Sequence, residues 1–463
     1  SDPEPAPAPA SLTLAACLSD SFHPVLGTNR SNLTLAPLLY EPLFQLDETF
    51  QPVPVLCSQA ASTDGLIWEL TLREGITFSD GSPLTGSVAA DALNTARQSA
   101  RYAQRLRDVS SISGQGNVVT VTLVRANGNL PALLDIPIAS STGDRPVGTG
   151  PYVLSETDGA LALAARSGWW QGKALPVQAI RLTAASRSED LVSSFSAGDI
   201  GLVDVDLMGT NAPGYSGSYQ TWDYATTELL YLGLNTQSGL CRTPEVRQAI
   251  ARAIDRTSIV QVDFARHAVA AGLPVHPSSP LYNAAQAGTL GYSPQQSQAA
   301  LEQLRLTGRS VTLVVNTENT AKVSAAQRIA AQLEAVGLTV HLSRLPYDSY
   351  VSALAAGNFD LYLGQVTLTG DFDLAPLLSS SGSLNYGRWQ DALGDALLSA
   401  FQSAQGEARA KAAADLFAYL NQQAPIVPVC FKNGSVLTQW SRLSGLSPVR
   451  GNVFYQLENW KLS

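Results

Sequence analysis

Three carboxylates surround one apolar run: Asp360, Asp371 and Asp373 in GNFDLYLGQVTLTGDFDLAPLL, residues 357–378. Acids so placed suit three kinds of chemistry. Two in different surroundings can divide general acid and base roles. Several together can hold a metal ion. One that is buried can grip a ligand's ammonium. Asp371 and Asp373 are two residues apart, so an extended backbone would aim both the same way. No activated partner for either stands out, which argues against catalysis.

The remaining chemistry-bearing residues point the same way. Histidine occurs only at His23, His267, His276 and His341, with no His-x-His or His-Glu-x-x-His pair to seat zinc. His341 lies in an alternating strand and reads as structural. No Gly-x-Ser-x-Gly elbow, phosphate loop or dinucleotide fingerprint occurs. GYSGS (214–218) lacks the final glycine, and GTGPY (148–152) has proline where a fingerprint helix would run on. Cys17, Cys57, Cys241 and Cys430 are too far apart for a Cys-x-x-Cys motif; free thiols and long-range disulfides both stay open. We expect no enzyme, no cofactor and no resident metal.

The elements that must position these groups come from a chain of 463 residues, 45% hydrophobic and 14% charged, enough for two or three cores. Its net charge of −9 argues against nucleic acid as a partner. The densest basic group, Arg97, Arg101, Arg105 and Arg107, reads as the solvated face and end of a helix. SDPEPAPAPA (1–10) reads as an extended, proline-rich linker. No run of about 18 apolar residues is present to span a membrane.

Periodicity divides the rest. SLTLAACLSD reads as a buried first strand. LIWELTLREGITFSDGSPL alternates and ends in a turn, the stretch 87–101 has helical spacing, and NVVTVTLVR (117–125) alternates again. Together, residues 55–150 make a small α+β unit. From 311 onward, VTLVVN, a helix over 321–336 ended by Gly337, LTVHLSRL, a helix over 348–356 ended by Gly357, and FDLYLG predict parallel pairing. A weaker unit of the same kind is expected over 177–234. Helices near 389–402 and 407–421 precede the strand PIVPVCF. The helix at 245–255 has Thr243 as a capping residue and Pro244 at its first position. Aromatic side chains gather in loops at Trp169, Trp170, Tyr215, Tyr219, Trp222, Tyr224 and Trp389, as in ligand clefts between domains.

Several blocks, in order, resemble one family. They are YEPLFQLD (40–47), WELTLREGITFSDGSPLTGSVAADALNTAR (68–97), PVGTGPYVL (146–154), GWWQGKALPVQAIRL, FSAGDIGLVDV, YLGLNT with CRTPEVRQAIARAIDRTSIV (231–260), and AAQLEAVGLTVHLSRLPYDSYVSALAAGNFDLYLG. They resemble the extracellular solute-binding proteins of peptide and nickel ABC importers, the dipeptide- and oligopeptide-binding family. The resemblance implies an α/β, two-lobed periplasmic-binding-protein-like fold with hinge strands and an extra inserted α+β domain. It suggests lobe I from 11–50, 151–235 and 430–463, the insertion at 51–150, and lobe II at 236–429. Arg247 and Arg256 would make salt bridges within a lobe, and the glycines of GTGPY would permit close approach at a crossing.

In peptide-binding members an aspartate past the corresponding strand holds the ligand's amino terminus, and Asp371 in TGDFD is the match. An Asx turn made by Asp371 or Asp373 is the structural alternative. The pattern departs from the family at Val366 and Leu368, where tryptophan often precedes the anchor, and at Asp373-Leu374 in place of Asp-Pro. By location, Asp373, Trp389, Arg388, Arg344, Trp222, Tyr224 and His23 complete the candidate ligand-binding set. The implied partners are a small peptide or similar solute and a membrane ABC permease, met by a monomer. The implied location is outside the cytoplasm, with a lipidated cysteine upstream of residue 1. A nickel chelate as cargo, peptide cleavage and peptide sensing are the rival readings.

Overall fold

Alternation builds the inserted unit. In Ile67–Leu72 the side chains of Trp68, Leu70 and Leu72 are buried while Ile67 and Glu69 face water, the pattern of a strand covered on one face. It pairs antiparallel with Cys57–Ala61 and Val118–Leu123, and Val109–Gln115 completes a four-stranded sheet. Helix Gly86–Gln98 packs Ala89, Ala90, Leu93 and Ala96 into the same core. Thr85 caps it by accepting from the Val88 N–H at 3.2 Å. The computed structural model describes residues 2–3 and 11–463. Most of the proline-rich linker therefore lies outside the described residues.

Helix Gly86–Gln98 ends before the arginine group is complete, which corrects the expected solvated face. Arg97 donates to the Val109 carbonyl, and Arg101 to those of Pro24 and Gly27. Arg105 and Arg107 reach carboxylates on distant segments. Turns after Ser99 carry the last three arginines, of which Arg101 and Arg107 stay exposed and Arg105 is half-buried.

Lobe I holds a second sheet, in the order Leu12–Ala16, Ala179–Ala184, Ala160–Ala165, Tyr152–Thr157, with the first pair parallel. Gly148 and Gly150 thread the return from the insertion past residues 38–39. A Cβ on Gly148 would lie 2.0 Å from the Leu39 carbonyl oxygen, so no larger residue fits. The expected strand–helix–strand unit over 177–234 is split. Ala179–Ala184 stays in this sheet, whereas Leu202–Val205 joins the large sheet, antiparallel to Ile426–Gln439. Helix Ser188–Ser196 connects the two layers, and Phe195 packs with Val203, Val205 and Leu437.

Lobe II follows the parallel expectation. Ser310–Asn316 pairs in parallel with both Thr339–Leu345 and Leu361–Thr367. Gly337 (φ 110°) and Gly357 (φ 75°) end the intervening helices Thr320–Ala335 and Tyr347–Ala356. Helix Pro244–Ala253 begins with proline as expected, but the Thr243 side chain makes no capping bond. Among the described residues Arg247 and Arg256 have no ion-pair partner; burial turns them to backbone carbonyls, Arg247 to Gln423 and Cys241 and Arg256 to Pro428. The four cysteines are buried free thiols.

Two long antiparallel strands, Tyr219–Leu234 and Ile426–Gln439, run through both lobes. Their first pairing block joins 219–225 to 433–439, and the second joins 229–233 to 426–431. Between them Thr226, Thr227 and Glu228 stand opposite Lys432 alone, a bulge that breaks the register. A second register shift, between Leu230 and Tyr231, follows this first break at 226–228. Lys432, almost fully buried, lies there between Asp206 (3.1 Å) and Glu228 (3.8 Å).

Candidate functional site

Past strand Leu361–Thr367 the chain is tied to the bulge, with the Leu368 N–H donating to the Thr227 carbonyl at 3.0 Å. It then makes a tight turn through Phe372, whose φ of 54° is left-handed. Aromatic packing holds that conformation. Phe372 stands edge-on to Phe50 (ring centroids 5.2 Å) and to Phe431 (6.2 Å). The turn gives Asp371 and Asp373 different surroundings.

Asp371 is 2% exposed. One oxygen accepts from Asn127 Nδ2 (3.1 Å) and Gln402 Nε2 (3.2 Å). The other accepts from the Thr369 hydroxyl and the Asp373 N–H. Its donors are all neutral. Beside it, Gln402 Oε1 is buried with no partner among the described residues. Because Nε2 is committed to the carboxylate, the amide cannot flip to satisfy itself. Asp371, Thr369, Asn127 and Gln402 border a space of about 10 Å³, at the lower edge of what one water-sized group needs.

Asp373 is instead an ion-pair hub. Arg107 Nη2 reaches it at 2.9 Å and Arg125 also pairs with it, while Arg125 bonds Asp108 at 2.9 Å. These bonds tie the inserted unit to lobe II. Both aspartates also make Asx-type bonds two residues ahead, to the Asp373 and Ala375 N–H groups. Arg409 supports the loop, donating to the Asp371 carbonyl at 2.6 Å while lying over the Phe401 ring. Burial pushes its pKa down, and the neighbouring Asp371 and Asp373 oppose that.

A second ion-pair cluster adjoins this loop. Asp135, 6% exposed, pairs with Arg105 (2.6 Å) and Arg450 (3.4 Å). Asp135 also borders a cavity of about 540 Å³ between lobe I and the inserted unit, with Trp169, Trp170, Tyr455 and Arg73 among its walls. Glu41 lies in that wall, fully engaged. It accepts from Thr149 (2.8 Å), Trp170 (2.7 Å), Trp169 (3.3 Å) and Gln171 (2.6 Å). Burial raises its pKa, and those four bonds pull it back.

The other sequence candidates are not brought to Asp371. His23 accepts the Val25 and Leu26 N–H groups on Nδ1, and its Nε2 meets the Ser141 carbonyl, so it is a loop-building histidine. Trp222 donates to Thr438 and Tyr224 to Asp204, both on the lobe I side of the crossing. Trp389 is buried against Tyr419, and Arg388 donates to the Ala355 carbonyl. Arg344 is exposed on strand Thr339–Leu345, at the end of the large sheet's strand order. Conversely, Asn127, Gln402, Arg125 and Arg450 escaped the sequence reading, and Arg105 and Arg107 were read there only as part of a helix face and its end. They belong to no motif, and Arg107 is 266 residues from Asp373. Among the described residues, no group of three or more His, Cys, Asp or Glu could hold a metal, and no helix is long and apolar enough to cross a membrane.

Comparison with known proteins accounts for this architecture. The family described as bacterial extracellular solute-binding proteins, family 5 Middle, matches residues 51–386. The periplasmic murein peptide-binding protein MppA of Escherichia coli strain K12 is 23% identical over 470 residues, covering 87% of this chain and 84% of MppA. The glutathione-binding protein GsiB of Shigella flexneri serotype 5b (strain 8401) is 24% identical over 382 residues, covering 75% and 73%. HbpA2 from Haemophilus parasuis has a similar fold, with a TM-score of 0.79 at 19% identity over 98% of this chain and 100% of that one. The chain belongs to the bacterial extracellular solute-binding proteins of family 5, which bind transported substrates and are not enzymes.

Proposed function

We propose that this protein captures an oligopeptide or similar small solute between its lobes, outside the cytoplasm, and delivers it to an ABC permease. The observation that carries the reading is Gln402 Oε1, a buried acceptor without a partner beside the buried carboxylate of Asp371. A ligand ammonium satisfies both. It supplies several donors to two acceptors and a positive charge to a carboxylate whose present donors are neutral. The named relatives MppA and GsiB take a murein peptide and glutathione, which favours a peptide over other cargo.

Exchange at Asp371 requires the inserted unit, which carries Asn127, to yield to the ligand. The register break at 226–228 and Lys432 is where the lobes can rotate without unpairing either block of the crossing strands. No bond in the solute is made or broken.

Asp371→Asn tests the amine contact by calorimetry. It should weaken a peptide with a free amino terminus by about 2–5 kcal/mol and hardly affect the same peptide acetylated. Equal losses for the two peptides would remove Asp371 from the amine site.

A further inference from the structure

Arg105 and Arg450 share a single carboxylate, Asp135. Among the described residues no second acid lies within ion-pair distance of either, so one guanidinium charge there lacks a counter-charge. Nearby, Arg107 and Arg125 are matched by Asp373 and Asp108, and Arg409 donates to the Asp371 carbonyl. Arg450 is costly to hold in this state: burial pushes its pKa down, and Arg105 adds to that while Asp135 opposes it. Its remaining contact is neutral, from Nη1 to the Thr227 hydroxyl at 3.3 Å.

The position of this surplus matters. A Cβ on Gly370 would lie 3.2 Å from Arg450 Nη2, so the guanidinium stands one residue along the chain from Asp371. Arg450 also borders a cavity of about 130 Å³ whose other charged walls are Asp47, Glu48 and Asp223. Arg105, but not Arg450, also borders the small space beside Asp371.

We propose that the solute carries a carboxylate on its amino-terminal residue, held by Arg450 and Arg105, while the amine of that residue meets Asp371 and Gln402. The inference rests on the peptide reading above and narrows it to ligands whose first residue bears both charges close together. Asp135 then positions the two guanidiniums without touching the ligand.

Calorimetric titration of the full chain with Glu-Ala-Ala, Gln-Ala-Ala and acetyl-Glu-Ala-Ala tests it. The unmodified protein should bind Glu-Ala-Ala about tenfold tighter than Gln-Ala-Ala, the range of one charge-assisted hydrogen bond. Arg450→Gln should abolish that preference while holding Gln-Ala-Ala within about twofold. Arg105→Gln, on a less buried residue, gives the same readout if the first variant does not fold. Equal binding of the two free peptides, with the acetylated one weaker, would overturn the carboxylate and leave the amine site standing. Binding of none of the three would overturn both. A preference that survives in every folded arginine variant would also overturn the assignment.

Discussion

Glu41 and Asp371 are both buried carboxylates served by neutral donors, and they differ in how completely their surroundings are satisfied. Around Glu41 every polar partner is used: Thr149, Trp169, Trp170 and Gln171 converge on two oxygens, closing the junction of lobe I with residues 149–171. Around Asp371 the set is incomplete, because one of its donors, Gln402, leaves its own oxygen buried and unpaired. A closed network fixes architecture. One with a spare acceptor next to a charge leaves room for a guest, since an unmet buried acceptor costs about 1–3 kcal/mol until something donates to it.

The largest expected effect breaks this comparison if it fails. Glu41→Ala strands four donors and should lower stability by about 3–5 kcal/mol, read from the urea midpoint. Peptide affinity of the folded protein should not change. A loss below about 1 kcal/mol would mean that Glu41 is no more structural than Asp371.

His276 sharpens the comparison from the other side. Its Nδ1 accepts the Ser278 N–H at 3.0 Å, and its buried Nε2 has no partner among the described residues. The ring lies between Phe50 and Phe431, with no carboxylate beside it, and burial pushes its pKa down to about 4 from 6.5. An orphan without a charge beside it marks packing, not a site. A histidine with a depressed folded pKa is stabilising above its unfolded pKa, and that stability is lost as pH falls from about 6.5 to 4. The contribution is about 3 kcal/mol. His276→Gln should flatten the stability profile over that window relative to the unmodified chain; parallel profiles would contradict it.

The smallest effect concerns Asp373. Arg107 and Arg125 are each about one-third exposed, with 29% and 34% of their side chains accessible. Solvent screening therefore holds the tie to about 1 kcal/mol. Asp373→Asn should lower the melting temperature slightly, less so at high salt, and leave the amine preference at Asp371 unchanged. A loss of amine preference would show that the two aspartates act as one unit.

Periodicity and turn chemistry carried much of the fold. Alternation in 67–72 and 118–123 built the inserted sheet, and Gly337 and Gly357 ended helices where their positive φ was needed. Asp371 was legible as an acid beyond a strand, but its partners were not, since Asn127 is 244 residues away. The candidates chosen by location, His23, Trp389 and Arg388 among them, found closer partners in their own loops and cores. The arginines at 101–107 show a related effect: helical spacing describes where a stem starts, while the turns after Ser99 decided which carbonyl or carboxylate each guanidinium met.

Local order in this chain was decided by side-chain period, glycine and proline, which act over a few residues and can be read along a line. Which carboxylate met arginines, which met amides, and which acceptor was left over depended on segments more than two hundred residues apart being pressed together. Burial sets those partnerships, because the cost of an unmet charge or hydrogen bond appears only once water is excluded.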